Sequence, residues 1–403
     1  MSDPVARACR VQWLRLFRFR NYAEEIVELG GGLTVLSGRN AQGKTSLLEA
    51  IATLALTRSP RAGSAAELIA WGAPACQVQA RIHRPDGPVA LDMRLERALS
   101  RAGGDGHEGP RATRVTHVDG KARAARAVLG ICPVVLFWPD DLQLVKGGPE
   151  GRRRLLDVVL SQLDTRVAAE LVRYRRVLEQ RNSLLKQVRV GAAPRAALGV
   201  YSTALARSGA VIQGARARLC VDLEALGAPA LGELSDGCEA LRLQYQAAGE
   251  IVVDGDPEVT AAALVAGLAE HGAEELARGV TVLGPHRDDV AVLLDERPAR
   301  TSASQGQQRS VVLALKLAEV RHVHAVAGMA PVLLLDDVLS ELDQARRERL
   351  LSGLGMRDMA AQALLTTSED APLALPDLGA VRRLHVEAGR VREVAVTPRY
   401  ASA

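Results

Sequence analysis

The sequence predicts an α/β protein: a nucleotide-binding domain assembled from both ends of the chain, with a helical lobe inserted between them. Three observations carry that prediction. Gly38-Arg39-Asn40-Ala41-Gln42-Gly43-Lys44-Thr45 fits G-x-x-x-x-G-K-[ST], a phosphate loop. Leu333-Leu334-Leu335-Asp336-Asp337, an apolar strand ending in carboxylates, lies far downstream, and the chemistry needs both segments. After Gly147-Gly148-Pro149 the apolar period changes from that of strands to that of helices.

The elements follow in order. Val11 to Phe17 alternates like a half-buried strand, and Leu33-Thr34-Val35-Leu36 is a short apolar strand running into the phosphate loop. Thr45 to about Thr57 reads as a helix, with Leu47, Leu48, Ile51 and Leu54 at helical spacing. Strands are expected near 76–83, 89–95 and 114–118, with a Gly-rich, charged and exposed hairpin tip at Ser100 to Pro110. Ile131 to Trp138 is another buried strand, closed by Pro139. Residues 150–189 form one or two long helices, carrying Leu155, Leu156, Val159, Leu160 and Leu163 between many arginines. More helix is expected over 197–226 and 258–277, interrupted by a Gly/Pro-rich link at 227–237. Strands return at 280–283 and 290–294, then a helix at 306–325, the strand 332–336, a helix at 343–353, the strand Ala363 to Thr367, and a hairpin over about 382–396. The expected domain limits are 1–148 and 280–403 for the two parts of the nucleotide domain and 149–279 for the lobe.

Composition narrows the class. With 403 residues and 48% hydrophobic content the chain can bury a sizeable core in two or three compact units. No apolar run reaches the roughly 18 residues of a membrane span. Met1 to Arg7 lacks a signal peptide's apolar core. The five cysteines show no C-x-x-C spacing, so a reduced, cytoplasmic setting without structural zinc is expected. The net charge of +4 is unevenly spread: residues 151–220 hold 14 Lys/Arg against 4 Asp/Glu, and residues 221–280 hold 2 against 12. Two solvated faces would account for this; so would a basic surface for a phosphate backbone beside an acidic one.

The candidate site residues follow from what a triphosphate needs. Backbone N–H groups of Gly38, Arg39, Asn40, Ala41, Gln42, Gly43 and Ser46 can point at an anion at the positive end of a helix. Lys44 supplies a point charge to the β- and γ-phosphates, and the Thr45 hydroxyl ligates Mg²⁺. Asp336 would hold the metal through its water shell, and Asp337 would orient or deprotonate the attacking water. Aspartate is one methylene shorter than glutamate, which predicts slow hydrolysis. Ser304-Gln305-Gly306-Gln307 is an S-x-G-Q run opening a helix. It reads either as an ordinary Ser N-cap or as an anion site reaching a nucleotide held by a second subunit. Ser340-Glu341-Leu342-Asp343 could cap the next helix and touch the partner's site, and Thr366 or Thr367 could sense the γ-phosphate.

These residues, with longer runs around them, resemble the RecF family of bacterial recombination-repair ATPases over nearly the full length. The matching runs include Phe19-Arg20-Asn21-Tyr22, Gly38 to Thr45 with Leu48-Glu49-Ala50-Ile51, Arg58-Ser59-Pro60-Arg61, and Phe137 to Leu142. Others are Arg152 to Asp157, Gln180 to Lys186, Gly284-Pro285-His286-Arg287-Asp288-Asp289, Ser304 to Arg309, and Leu335 to Asp343. The resemblance implies an ABC/SMC-type ATPase head: a phosphate-loop mixed sheet with antiparallel strands, plus an inserted helical lobe without long coiled coils. It implies a homodimer that closes on ATP, ATP-dependent DNA binding, and work with RecO and RecR in loading RecA at single-strand gaps. Two departures from transporter ATPases stand out: Asp140 occupies the Q-loop position on the metal side, and Thr366/Thr367 replace a switch histidine.

A transporter ATPase would place its carboxylates little more than a hundred residues after Lys44, with glutamate at 337 and histidine near 367; none of this holds. A small-metabolite kinase needs no S-x-G-Q run. With only 3% aromatic residues, DNA is expected to be held through its backbone more than by base stacking. The candidates are Arg58, Arg61, Arg152, Arg153, Arg154, Arg173, Arg175 and Arg176, each of which a solvated surface role would also explain. His286 and Arg287 are expected to brace the core near the nucleotide, and the acidic stretch 221–280 is a candidate face for RecR.

Overall fold

The computed structural model describes residues 8–98, 111–235, 239–341, 347, 349, 362–368 and 381–394. The tip at 100–110, Asp343, and all but two residues of the helix expected at 343–353 lie outside the described residues. In chain order the elements begin with β1 (Arg10–Phe19), β2 (Tyr22–Glu28), β3 (Gly32–Ser37), α1 (Lys44–Leu56), β4 (Ala75–His83), β5 (Val89–Arg97), β6 (Ala112–Val118), β7 (Lys121–Arg123) and β8 (Val134–Phe137). There follow α2 (Gln143–Lys146), α3 (Pro149–Leu163), α4 (Thr165–Arg189), α5 (Leu198–Ser235), β9 (Leu241–Gln246), α6 (Pro257–Glu270) and α7 (Gly272–Arg278). Then come β10 (Asp289–Leu294), β11 (Arg297–Pro298), α8 (Ala299–Ser302), α9 (Gln305–Ala327), β12 (Val332–Asp336), β13 (Gln362–Thr366), β14 (Val381–Glu387) and β15 (Arg390–Glu393).

The chain divides into two compact units, one formed by 1–139 with 323–403 and the other by 140–322. The second unit is longer at both ends than the lobe expected at 149–279. Its extension holds β10, which pairs with β9 and packs on α3, so the sheet β11-β10-β9 belongs with the helices.

In the first unit one sheet has the order β15-β14-β3-β13-β12-β8. Its strands β13, β12 and the terminal β8 are buried at every residue, as apolar parallel strands covered on both faces must be. Parallel pairing sets Leu36, Thr366 and Asp336 side by side at the strands' C-terminal ends. Ligands of open α/β sheets bind at that edge. The second sheet, β2-β1-β4-β5-β6-β7, is antiparallel, and β4 alternates buried with half-buried residues. β2 escaped the sequence reading because Tyr-Ala-Glu-Glu-Ile-Val-Glu is a charged edge strand with little apolar alternation. Gln362 ties the sheets together: its amide donates to the Val11 and Gly30 carbonyls and accepts from the Val11 N–H, each at 2.8 Å.

The second unit packs α4, α5 and α6 around Tyr174, Leu205, Ile212, Leu264 and Leu283. Two expectations fail here. The break expected at 227–237 is absent from 227 to 235, because α5 continues through Gly227 and Pro229. A proline inside a helix costs about 3 kcal/mol. Burial of Ala230, Leu231 and Leu234 just beyond it offsets that cost, and Gly227 itself is buried against Leu241. The strand expected at 280–283 is an irregular segment instead. Its Thr281 N–H donates to Asn182 Oδ1 at 2.8 Å and its Val282 N–H to Glu275 Oε1 at 3.0 Å, so side chains take the place of a ladder partner. β9 was missed although Leu241, Leu243 and Tyr245 alternate with polar residues, a signal the sequence does carry.

Candidate nucleotide site

The phosphate loop leaves β3 and enters α1 through backbone that only small residues adopt easily. Gly38 and Gly43 have φ of 140° and 119°, and Ala41 has 64°. A Cβ on Gly43 would stand 2.8 Å from Asn21 Nδ2 and 2.9 Å from the Tyr22 hydroxyl; one on Gly38 would collide with the Val386 carbonyl. The loop is also fastened from outside. Asn21 Nδ2 donates to the Gln42 carbonyl at 2.8 Å, the Tyr22 hydroxyl to the Gly43 carbonyl at 2.9 Å, and the Gly389 N–H to the Gln42 carbonyl at 3.0 Å. The Ala388 N–H reaches Gln42 Oε1 at 2.7 Å. Thus the β1–β2 and β14–β15 turns hold the shape of the loop.

Among the described residues no side chain caps α1, and its first turn holds no acidic residue. The head of a 13-residue helix presents backbone N–H groups and the positive end of its dipole, which suit an anion. The buried Lys44 ammonium donates to the Gly38 carbonyl and, at 2.9 Å, to the Arg39 carbonyl, so it sits inside the loop. Beneath, α1 is anchored by Glu49, which is fully buried and takes a two-pronged ion pair from Arg20 at 2.9 and 2.8 Å plus the Ser59 hydroxyl at 2.6 Å.

The two distant segments meet here. The Thr45 hydroxyl donates to the Asp336 carboxylate at 2.8 Å, and the Thr366 hydroxyl donates to the same carboxylate at 2.7 Å. Thr366 also accepts the Asp337 N–H at 2.9 Å, which fixes Asp337 at a left-handed φ of 51°. Burial raises the Asp336 pKa above its ordinary value; the hydroxyls of Thr366 and Thr45 and the charge of Arg61 oppose it. Thr366 is therefore committed to the carboxylates, whereas Thr367 is buried with its N–H on the Leu36 carbonyl at 3.0 Å.

A cavity of about 670 Å³ opens over these groups, within the range that nucleotide-sized ligands use. Its walls include Asn40, Gly43, Lys44, Thr45, Ser46, Asp336, Asp337 and Thr366, all singled out in the sequence. Arg61, expected as a DNA contact, lies in the same wall, its guanidinium 5.8 Å from the centre of the Trp138 ring. Ser368 and Trp71 also line the cavity and were not foreseen. Ser368 could have been reached by extending the threonine pair by one residue; an isolated tryptophan between Ala70 and Gly72 gives no motif to find.

In the second unit, Ser304 is exposed at the start of α9 and forms a reciprocal cap with Gln307. Its N–H donates to Gln307 Oε1 at 2.8 Å and its hydroxyl accepts the Gln307 N–H at 3.3 Å. Gly306 sits in the first turn, and Asp140 opens the unit. Arg152 is corrected as a DNA candidate: it is buried, pairs with Asp289 at 2.8 and 2.9 Å, and donates to the Leu144 and Gly147 carbonyls. Arg153 is half-buried on the Asp288 carbonyl at 2.7 Å. Arg154, Arg173, Arg175 and Arg176 are exposed, and Arg58 is half-buried. His286 braces the core of this second unit: Nδ1 accepts from the Tyr174 hydroxyl at 2.7 Å and Nε2 donates to the Thr281 carbonyl at 3.1 Å. Burial pushes its pKa down to about 4. Arg287, by contrast, is exposed.

Residues 10–377 match the family model described as the RecF/RecN/SMC N terminal domain. A protein named DNA replication and repair protein RecF from Chloroflexus aurantiacus is 41% identical over 392 residues, covering 94% of this chain and 99% of the relative. One of the same name from Synechocystis is 40% identical, covering 88% and 90%. Among solved structures, the recombination mediator protein RecF-ATPrS in the RecFOR pathway superposes with a TM-score of 0.84 at 28% identity, covering 96% of this chain and 99% of that one. An Smc head bound to the C-winged helix domain of ScpA gives 0.52 at 16% identity, a likeness of fold.

Proposed function

Because the chain belongs to the RecF family, we propose that it is an ATP-switched DNA-binding protein of recombinational repair and replication. The observation that carries the reading is the convergence of Thr45, Asp336 and Thr366 in one hydrogen-bonded group beside an open helix N-terminus. Relatives solved as RecF-ATP and RecF-ATPrS support it.

The residues fit a triphosphate with a divalent cation. The ammonium of Lys44 and the uncapped N–H groups of α1 supply the anion's partners. Thr45 and Asp336 supply hard oxygen donors already within 3 Å of each other, the chemistry that Mg²⁺ takes. When bound, Mg²⁺ neutralises charge developing on the phosphates. Thr366 holds Asp336 and the Asp337 backbone, and Asp337 orients or deprotonates the attacking water. The short aspartate side chain makes this hydrolysis slow, a reset more than a motor stroke. Thr367 and Ser368 stand at the end of β13 as γ-phosphate sensors.

A second copy completes the site. Ser304, Gly306 and Gln307 at the head of α9, with Asp343, contact the nucleotide of the partner subunit, so ATP favours the closed homodimer by its differential affinity for that state. Moving such an equilibrium from 1% to 99% takes about 5.5 kcal/mol. The closed pair binds duplex or gapped DNA through backbone phosphates, with Arg154, Arg173, Arg175 and Arg176 as the exposed cations and affinity that falls with salt. By family resemblance it works with RecO and RecR to load RecA at gaps, in the cytoplasm.

Sedimentation velocity with and without ATP and gapped DNA tests this. Wild type is expected to dimerise with ATP, Lys44→Ala to bind no nucleotide, and Ser304→Arg to bind ATP yet stay monomeric. A Ser304→Arg chain that still dimerises with ATP overturns the assignment in trans.

A further inference from the structure

We propose that Trp71 is the platform on which the nucleotide base stacks, giving the site a preference for purine nucleoside triphosphates. The inference rests on the reading that the cavity holds a triphosphate, and adds the group that reads its base.

Trp71 is fully exposed and lines the cavity that contains Lys44 and Thr45. Burying an indole is among the largest gains a side chain offers, so one held in water beside a ligand cavity forgoes that gain unless the ligand covers it. The other fully or largely exposed apolar residues described are mainly valines, such as Val172, Val190, Val200 and Val252, and none lines this cavity.

The indole also stands on a fixed base. Ala70-Trp71-Gly72-Ala73 is a tight turn closed by the Ala73 N–H on the Ala70 carbonyl at 3.0 Å, with Gly72 at a φ of 76°. The Ala70 N–H donates to the Arg18 carbonyl at 2.8 Å, and Arg97 Nε to the Ala73 carbonyl at 3.0 Å. Both ends of the turn are thereby pinned to the antiparallel sheet that also carries the Asn21 clamp on the phosphate loop. The pinned backbone leaves only the two side-chain torsions of the indole to be ordered on binding, and a purine covers it with more π-surface than a pyrimidine. Ile69, also at the cavity wall, is itself buried beneath the turn.

Calorimetric titration of the full chain with ATP, CTP and inorganic tripolyphosphate, each with Mg²⁺, tests the proposal. Wild type should bind ATP more tightly than CTP. Trp71→Ala should weaken ATP about tenfold, narrow the gap between ATP and CTP, and leave tripolyphosphate unchanged. Trp71→Phe should retain most of the ATP affinity. Trp71→Ala binding ATP as wild type does, or losing tripolyphosphate in equal measure, overturns the proposal. So does a variant whose nucleotide affinity is intact while its self-association changes, since the indole would then serve a protein contact. Lys44→Ala separates the two levels: it should lose ATP and tripolyphosphate alike, and a wild type that binds neither ligand brings down the underlying reading instead.

Discussion

Asp288-Asp289 and Asp336-Asp337 are the same dipeptide put to opposite uses. Asp288 is fully buried and its carboxylate takes two fixed N–H donors, Gln213 Nε2 at 2.9 Å and the Ala248 N–H at 2.8 Å, besides the Tyr245 hydroxyl. Asp289 is bound on both oxygens by Arg152. Among the described residues Asp336 is held by hydroxyls, from Thr45 and Thr366, and it faces a cavity. Hydroxyls can turn away from a carboxylate and accept or ligate instead; an amide N–H or a buried guanidinium cannot. A carboxylate pair is therefore structural when its partners have nowhere else to go and functional when they do.

The largest effect that would break this contrast is on stability in the second unit. Asp288→Ala leaves three donors, that of Gln213 fully buried, without their acceptor, and it should cost about 4 kcal/mol in urea unfolding. A loss under about 1 kcal/mol would mean that water replaces the carboxylate and that the motif is not a structural lock.

Proton linkage gives the next largest effect. His286 lies two residues before Asp288 and has its pKa pushed down to about 4 by burial. The folded chain then holds fewer protons than the unfolded chain between about pH 6.5 and 4. The stability tied to neutral His286 is fully present above about 6.5 and is lost as pH falls through 4, up to about 3 kcal/mol. Urea midpoints between pH 7.5 and 4.5 should show the fall, and His286→Gln should flatten it. An unchanged slope in the variant would assign the linkage to other groups.

The same contrast explains what could be read in advance. The phosphate loop, β12 and α1 follow from local pattern, because an apolar strand, two glycines and a lysine must be adjacent in sequence to do their work. The parallel register that sets Thr366 beside Asp336 was open only in outline, since strand order is a long-range choice and either threonine fitted. Arg152 looked like a surface cation because nothing in Arg-Arg-Arg tells which guanidinium meets Asp289, 137 residues away. The segment 280–283 looked like a strand because Val-Thr-Val-Leu has a strand's composition. Its partners, Asn182 and Glu275, are side chains that no period reveals. Pro229 signalled a break, but the burial that carries α5 past it is tertiary. Trp71 had no motif at all.

Asp336→Asn sharpens the comparison with the smallest stability change and the opposite sign. Burial raises the Asp336 pKa, so the folded chain holds that proton longer than the unfolded chain. The linked stability is fully present below the ordinary aspartate range and falls as pH rises through the shifted pKa. At pH 7.5 the nucleotide-free wild type therefore carries a carboxylate whose charge the fold disfavours, and the neutral amide removes that charge. Thermal unfolding without ligand should be unchanged or raised, by no more than about 1 kcal/mol. The Mg²⁺-dependent part of ATP binding should fall about a hundredfold, because the carboxylate is the charged oxygen donor beside Thr45. ATP binding measured in EDTA should change far less, since Lys44 and the head of α1 are untouched. A variant that unfolds several kcal/mol more easily would place Asp336 with Asp288 among the locks. One that keeps its magnesium dependence would move the metal site to another carboxylate of the chain.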